Sequence, residues 1–216
     1  MYNESEHEVH AIRGIDLFFE SGEFTAIAGP SGCGKTTLLN ILGGLDNPSS
    51  GEITIGGTNI SNLKSSERIN FRLNNIGFVF QAYNLIPVLT AKENVEFVMH
   101  LQGKSKAERD ARTKELLEAV GLGDRINSRP SKFSGGQQQR VAVARALASK
   151  PKFVLADEPT ANLDSKATEN LLDIMEKLNR EENITFIFAT HDARVMKKAR
   201  RVISLEDGRV LSDKIK

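Results

Sequence analysis

The stretch FTAIAGPSGCGKTTLLNILGG, residues 24–44, predicts a buried strand, a glycine-rich loop and a helix in direct succession. The strand is expected over Phe24–Ala28, the loop over residues 29–34, and the helix from Lys35 onward. The loop fits the pattern G-x-x-x-x-G-K-[ST], in which successive backbone N–H groups curl around a polyphosphate. Glycine permits that curl because it has no Cβ. The sequence therefore predicts a phosphate site.

Each residue type in this loop has a chemical reason. The helix that follows points its unpaired N–H groups and its positive dipole end at the phosphates. Lys35 adds a positive charge between the β- and γ-phosphates, and the Thr36 hydroxyl is available to Mg²⁺. A glycine-rich turn that opens an ordinary helix would explain the glycines, but not a lysine followed by a hydroxyl residue. The candidate nucleotide contacts here are Gly29, Pro30, Ser31, Gly32, Cys33, Gly34, Lys35, Thr36 and Thr37.

Composition restricts the class of protein. The chain has 216 residues, with 29 basic against 28 acidic side chains, so no net field favours nucleic acid or an anionic membrane. Its single cysteine excludes an intrachain disulfide and suits a reducing cytosol. No apolar run approaches the roughly 18 residues that span a bilayer, and we expect no signal peptide. We expect any membrane role to depend on a partner.

Short apolar runs predict further buried strands at residues 76–81, 152–156 and 184–189. Helices are expected between them, at 66–73 and 165–180, which indicates a parallel sheet covered on both faces. Three further strand predictions complete the sheet and its surroundings. Alternation over 11–19 predicts a half-exposed strand in a hairpin with the phosphate-loop strand, residues 51–55 predict a strand, and residues 202–211 predict a hairpin.

Residues 90–148 are predicted to be helical throughout. Thr90-x-x-Glu93 and Ser105-x-x-Glu108 are capping boxes, and Gly121 is placed to end a helix. We expect a single unit over residues 1–216. In it a helical lobe, at about 90–148, is inserted into a core formed by 1–89 and 149–216.

Polar side chains follow each predicted buried strand. Ligands bind beyond the carboxyl ends of strands in open parallel sheets, so Gln81, Asp157, Glu158 and His191 are expected near the phosphate loop. Asp157 suits a Mg²⁺ shell, Glu158 can polarise an attacking water, and His191 can donate to a γ-phosphate. Alone, two carboxylates after a strand more often form a helix cap, and a lone histidine is usually structural. The phosphate loop upstream favours the catalytic interpretation.

A second diagnostic stretch, FSGGQQQR at residues 133–140, precedes the amphipathic sequence VAVARALAS. Ser-Gly-Gly at a helix N-terminus is typical of an anion site. A flexible helix entry would also explain Ser-Gly-Gly, but it does not account for the three glutamines.

Taken in order, these motifs resemble the ATP-binding cassette (ABC) family over nearly the whole chain. The motifs that carry the resemblance are GPSGCGKT at 29–36, Gln81, FSGGQQQR at 133–140, VLADEP at 154–159, ANLD at 161–164, and His191. The resemblance implies an α/β fold, namely a P-loop NTPase core with a mainly parallel sheet, an antiparallel β subdomain and an inserted α-helical subdomain. It also implies ATP hydrolysis with ATP and Mg²⁺ as cofactors.

Family likeness further implies a homodimer that encloses two ATP molecules. Residues Ser134, Gly135, Gly136 and Gln137 of one subunit would cap the γ-phosphate held by the other. Thr36, Gln81 and Asp157 would hold the metal, Lys35 and Gln81 would join Glu158 and His191 in catalysis, and Tyr2 aligns with the aromatic residue that stacks on adenine. The chain departs from the family pattern at Phe133, where leucine is usual, and at Ala161-Asn162, where Ser-Ala is commoner.

The wider pattern is similar to the subgroup that serves lipoprotein release, macrolide and peptide export, and cell-division complexes. By that resemblance, integral membrane permease subunits dock on the apolar loop at residues 82–89. The chain would then be peripheral on the cytoplasmic side of the cell membrane, with no direct nucleic-acid contact. An alternative is a soluble ABC ATPase acting on nucleic acid or ribosomes. Such relatives usually carry a long coiled-coil insertion or two fused cassettes, and this chain has neither, nor a basic stripe.

Overall fold

In the computed structural model of the protein the described residues are 2–4 and 7–216, with side chains from residue 10 onward. The strands are β1 (Tyr2–Glu4), β2 (His7–Val9), β3 (Phe24–Ala28), β4 (Thr54–Ile55), β5 (Thr58–Asn59), β6 (Ile76–Phe80), β7 (Phe153–Asp157), β8 (Thr185–Thr190), β9 (Arg201–Glu206) and β10 (Arg209–Ile215). The α-helices are α1 (Lys35–Leu42), α2 (Ser65–Asn75), α3 (Ala91–Leu101), α4 (Lys106–Ala119), α5 (Gly135–Ala148), α6 (Ser165–Glu182) and α7 (Ala193–Lys198). Short 3₁₀ turns occupy Ile60–Asn62, Gly123–Arg125 and Pro130–Lys132.

The main sheet has the strand order β10-β9-β3-β8-β7-β6. Strands β9, β3, β8, β7 and β6 run parallel, and β10 pairs with β9 in the antiparallel direction. The carboxyl ends of β3, β8, β7 and β6 therefore lie side by side along one edge. The predicted mainly parallel α/β sheet is confirmed.

Both faces of this sheet are buried, and successive side chains on each strand point to opposite faces, so the strands contribute to two apolar clusters. On one face Phe24 and Phe186 pack with helices α3, α5 and α6. On the other, Ile27 and Ile187 pack against Leu38 of α1. A strand buried on both faces reads as a continuous apolar run, which is why β3, β7 and β8 were predictable from sequence.

The strand predicted over residues 11–19 is wrong. Its apolar side chains do alternate in burial, with Ile15 and Phe19 packed against the cluster around α1. The main chain, however, makes isolated hydrogen bonds and does not pair with a neighbouring strand. Arg13 N–H donates to the Gly208 carbonyl, and the Phe18 carbonyl accepts from the side chain of Arg201. Alternating burial thus arises from packing alone, without a neighbouring strand.

Smaller differences occur elsewhere. The strand predicted over 51–55 is limited to β4, which pairs with β5 as an antiparallel hairpin. The hairpin predicted at 202–211 is confirmed as β9 and β10 and extends to Ile215. The β1–β2 hairpin and helix α7 had no clear sequence signal.

Residues 90–148 contain α3, α4 and α5 and no strand. Both predicted capping boxes are confirmed: Thr90 caps α3 with Glu93, and Ser105 caps α4 with Glu108. Gly121 follows α4 with φ +69°, as a helix-ending glycine does. The division of the chain at residues 89/90 and 148/149 remains a prediction. Within the part of the chain that the structure describes, no helix combines the length and apolar character needed to cross a membrane.

Candidate nucleotide-binding site

The phosphate loop (residues 29–36) joins β3 to α1 at the carboxyl edge of the sheet, as predicted. A Cβ on Gly29 would lie 2.2 Å from the Leu205 carbonyl oxygen, so only glycine fits there. Gly34 has φ +102° and is the N-cap of α1. It makes no side-chain cap, and the backbone N–H groups of Gly34, Lys35 and Thr36 have no hydrogen-bond partner among the described residues. These donors are available to an anion.

Lys35 is nearly buried beneath the loop. Its ammonium donates to the carbonyl oxygens of Gly29 at 2.7 Å and Pro30 at 2.8 Å. These bonds hold the charge at the floor of the cradle that the N–H groups form. The Cys33 thiol faces the core and is 4% exposed. Cys33 therefore fills space below the loop, and its main chain is bonded to the Pro30 carbonyl and the Gly208 N–H.

Thr36 and Asp157 meet across the gap between α1 and the end of β7. The Thr36 hydroxyl lies 3.1 and 3.0 Å from the two carboxylate oxygens of Asp157. Burial raises the pKa of Asp157, and the negative charge of Glu158 adds to that effect, while the hydroxyl of Thr36 and the charge of Lys35 oppose it. A cation at this point would favour the ionised carboxylate. Because Mg²⁺ commonly takes only one or two protein oxygens beside substrate phosphates, this pair fits it.

Glu158 follows β7 in a left-handed conformation, φ 44°, which is uncommon for a non-glycine residue. Its N–H donates to the Ala189 carbonyl, and its carboxylate accepts from the Thr190 hydroxyl at 3.2 Å. The other carboxylate oxygen lies 2.7 Å from Nδ1 of His191, whose side chain is 70% exposed. This backbone turn separates Glu158 from Asp157, so that the two carboxylates have different partners.

Gln81 directly follows β6, so four strand ends converge as predicted. Its side chain is exposed and makes no hydrogen bond among the described residues. Its main-chain carbonyl accepts from the Asn162 side chain at 3.1 Å. The Gln81 amide thus remains available for a ligand.

The signature segment (residues 134–137) forms the start of α5. Ser134 and Gln137 form a reciprocal capping box, with the Gln137 N–H donating to the Ser134 hydroxyl at 3.3 Å. The other two glutamines of the run have structural roles. Gln138 donates to the Phe133 carbonyl, and buried Gln139 donates to the Phe80 carbonyl beside Gln81. Among the described residues no hydrogen bond joins the signature segment to the phosphate loop.

The loop at residues 82–89 is held from two sides by residues that sequence reasoning missed. Fully buried Asn94 accepts from Ile86 N–H at 2.8 Å and donates to the carbonyls of Ile86 and Leu89. Arg145 of α5 donates to the carbonyls of Tyr83, at 2.9 Å, and Asn84. Val88 at its tip stays 70% exposed.

Asp192 was also missed. It accepts hydrogen bonds from the Arg194 side chain and, at 2.9 Å, from the Thr160 hydroxyl. These bonds, chiefly those from Arg194, lower the pKa of Asp192 to about 2. Asp192 thereby ties the loop that carries His191 to the loop that follows Glu158. The side chain of Tyr2, predicted to stack on adenine, lies outside what the structure describes.

Three features define a phosphate-loop nucleoside triphosphatase. They are the glycine cradle at a helix N-terminus, the Thr36–Asp157 pair beside it, and the Glu158–His191 pair at the ends of β7 and β8. The model of the family described as ABC transporter matches residues 12–161. The chain belongs to the ABC transporter family. It is an ATPase of the ATP-binding cassette type, with ATP and Mg²⁺ as cofactors, and the recognised resemblance is confirmed.

Similar proteins agree with this assignment. An uncharacterized ABC transporter ATP-binding protein of Methanocaldococcus jannaschii is 50% identical and covers 98% of this chain and 94% of its own length. The macrolide export ATP-binding/permease protein MacB of Marinobacter nauticus is 47% identical over 98% of this chain, which spans 33% of that longer protein. Among solved structures, the dimeric post-hydrolysis state of the ATP-binding cassette MJ0796 bound to ADP and Pi matches with a TM-score of 0.91. The two sequences are 43% identical, and the match covers 99% of this chain and 94% of the MJ0796 chain.

Proposed function

We propose that this chain is the ATP-hydrolysing subunit of a membrane transport or mechanotransmission complex, and that it works as a homodimer around two ATP molecules. The observation that carries this proposal is the convergence, at one sheet edge, of the phosphate loop, the Thr36–Asp157 pair and the Glu158–His191 pair. A triphosphate held by the loop would have a metal site on one side and a base on the other.

Each residue has a distinct task in this proposal. Lys35 and the loop amides bind the β- and γ-phosphates. Thr36, Asp157 and the Gln81 amide would hold Mg²⁺, which when bound would neutralise developing phosphate charge. Glu158 orients and deprotonates the attacking water, and His191 donates to the γ-phosphate while contacting Glu158.

The position of the signature segment supports the proposed dimer. The segment opens helix α5, yet it has no hydrogen bond to the phosphate loop of its own chain among the described residues. In the proposed dimer this segment of a second copy would cap the nucleotide, and the similar MJ0796 cassette is dimeric with ADP and Pi bound. We propose membrane permease subunits as further partners, docked at residues 82–89, with the chain on the cytoplasmic face. The MacB relatives, named as macrolide export ATP-binding/permease proteins, favour an export-type complex. The lipoprotein- or peptide-related alternative rests on the resemblance of the motifs alone.

The variant Glu158→Gln tests the proposal. We expect it to bind ATP, dimerise stably at saturating ATP and Mg²⁺, and hydrolyse ATP about 10²–10⁴-fold more slowly than the parent, as loss of a general base predicts. Light scattering coupled to gel filtration reports the dimer, and phosphate release reports the rate. Glu181→Gln, on the exposed side of α6, is the matched control and should behave as the parent. A Glu158→Gln protein that stays monomeric or keeps the parent rate would contradict the proposal.

A further inference from the structure

Arg125 reaches the signature segment from a separate element. It lies in the 3₁₀ turn Gly123–Arg125, between α4 and α5. Its guanidinium donates to the Lys132 carbonyl at 2.6 Å and to the side-chain oxygen of Gln137 at 3.2 Å. The same group lies over the Phe133 ring, 4.7 Å from its centroid. The guanidinium of Arg125 thus contacts one residue of the signature segment, Gln137, and the two residues just before it, Lys132 and Phe133.

The hydrogen bond from Arg125 to Gln137 also affects the conformation of the rest of the signature segment. The oxygen of Gln137 that accepts from Arg125 also accepts from the Ser134 N–H at 3.0 Å. Arg125 therefore fixes the side-chain conformation that keeps the capping box of α5 closed. A rigid guanidinium fork can hold two acceptors and a ring face at once, which a lysine cannot do.

We propose that Arg125 is a positioning residue for the signature segment. It holds residues 134–137 in the shape that caps the γ-phosphate bound by a second copy of the chain. This inference rests on the proposed function, because the segment has a task only in the nucleotide-bound dimer. Arg125 makes no hydrogen bond to its own phosphate loop among the described residues, so its loss should leave nucleotide binding by a single chain intact.

Phe133 takes part in the same arrangement. Leucine is usual at this position in the family, and the phenylalanine here is 7% exposed and offers an aromatic face to the guanidinium. The hydrogen bonds from Arg125 to Lys132 and Gln137 do not need the ring. Phe133→Leu consequently tests the ring contact separately from the hydrogen bonds.

The experiment places Arg125→Ala in the Glu158→Gln background and measures ATP-driven dimerisation by analytical ultracentrifugation. We expect the dimer dissociation constant to rise about tenfold or more, as loss of two hydrogen bonds from a charged donor predicts. Affinity of the monomer for ATP should change less than twofold. Arg129→Ala is the matched control, because that arginine is exposed and donates no side-chain hydrogen bond among the described residues. Phe133→Leu should weaken the dimer less than Arg125→Ala does.

A second measurement is independent of dimerisation. Amide hydrogen exchange over residues 134–138 should be faster in Arg125→Ala than in the parent or in Arg129→Ala, with Arg125→Lys close to Arg125→Ala. A dimer constant and exchange rates equal to those of the parent would overturn the inference while the proposed function stands. A loss of monomer ATP affinity that matches the loss of dimerisation would also overturn it. A Glu158→Gln parent that stays monomeric with ATP would overturn both.

Discussion

The side-chain amide of Asn162 donates a hydrogen bond to the main-chain carbonyl of Gln81 at 3.1 Å, across 81 positions of sequence. Asn162 lies in the ANLD segment, where the family commonly has alanine. The bond joins the loop that follows Glu158 to the tip of β6. Two segments that the sequence presents as separate motifs are thereby physically connected beside the proposed metal site.

Removing this connection should slow hydrolysis without weakening nucleotide binding. We expect Asn162→Ala to lower kcat about fivefold, because one neutral hydrogen bond is worth about 1 kcal/mol. The KM for ATP should be unchanged. Asn162→Asp, which cannot donate to the carbonyl, should be at least as slow. Steady-state kinetics measure both, with Asn170→Ala on the exposed side of α6 as the control. A kcat equal to that of the parent would show that the bond has no part in turnover.

Lys35→Ala should lose affinity for ATP. Its ammonium holds the carbonyls of Gly29 and Pro30, so the variant loses both the charge and the shape of the loop. We expect affinity to fall about tenfold or more, because hydrogen bonds to charged groups are worth about 1.5–3 kcal/mol. Isothermal titration calorimetry measures it, and Lys177→Ala, an exposed lysine on α6, is the control. Normal ATP binding by Lys35→Ala would discredit the phosphate-loop assignment.

Asn94→Ala should destabilise the loop at residues 82–89. The buried amide accepts from the N–H of Ile86 and donates to the carbonyls of Ile86, Leu89 and Thr90. The variant leaves the Ile86 N–H and the Leu89 carbonyl without this partner, whereas the carbonyls of Ile86 and Thr90 keep the main-chain N–H groups of Leu89 and Asn94. We expect a loss of about 3 kcal/mol in the free energy of unfolding, together with faster proteolysis within the loop. Urea denaturation and limited proteolysis measure the two effects. Asn70→Ala, on the exposed face of α2, should change stability by less than about 0.5 kcal/mol, and an equal effect of both variants would contradict the prediction.

Asp192 should contribute to stability in a pH-dependent way. Its pKa is lowered from the usual value of 3.8 to about 2, mainly by Arg194. A carboxylate with a depressed folded-state pKa stabilises the fold above its unfolded pKa, and that contribution is lost as pH falls towards the folded value. Asp192→Asn should therefore be less stable than the parent at pH 6, and the difference should shrink between about pH 4 and pH 2. Thermal unfolding across this range measures it, with Asp16→Asn as the control, because Asp16 is exposed and has no hydrogen bond or ion pair among the described residues. A difference that stays constant from pH 6 to pH 2 would rule out the ion pair as its cause.

Features of the fold with a local cause were predictable. The capping boxes at Thr90 and Ser105 form within one helical turn, and the buried strands are continuous apolar runs. The prediction for residues 11–19 was wrong because alternation reports burial and not pairing. In the candidate site, the positions of Gln81 and His191 followed from where the strands end.

The sequence by itself determined the phosphate loop, the order of the family motifs and the strand ends after which Gln81, Asp157, Glu158 and His191 follow, because each depends on residues adjacent in the chain. Only the tertiary structure decided how those motifs are connected. Four side chains bind groups that folding brings close: the amides of Asn94 and Asn162, the guanidinium of Arg125 and the carboxylate of Asp192. A polar side chain can find a main-chain carbonyl or a partner side chain anywhere the fold places it, and no spacing or periodicity in the sequence marks that partner in advance.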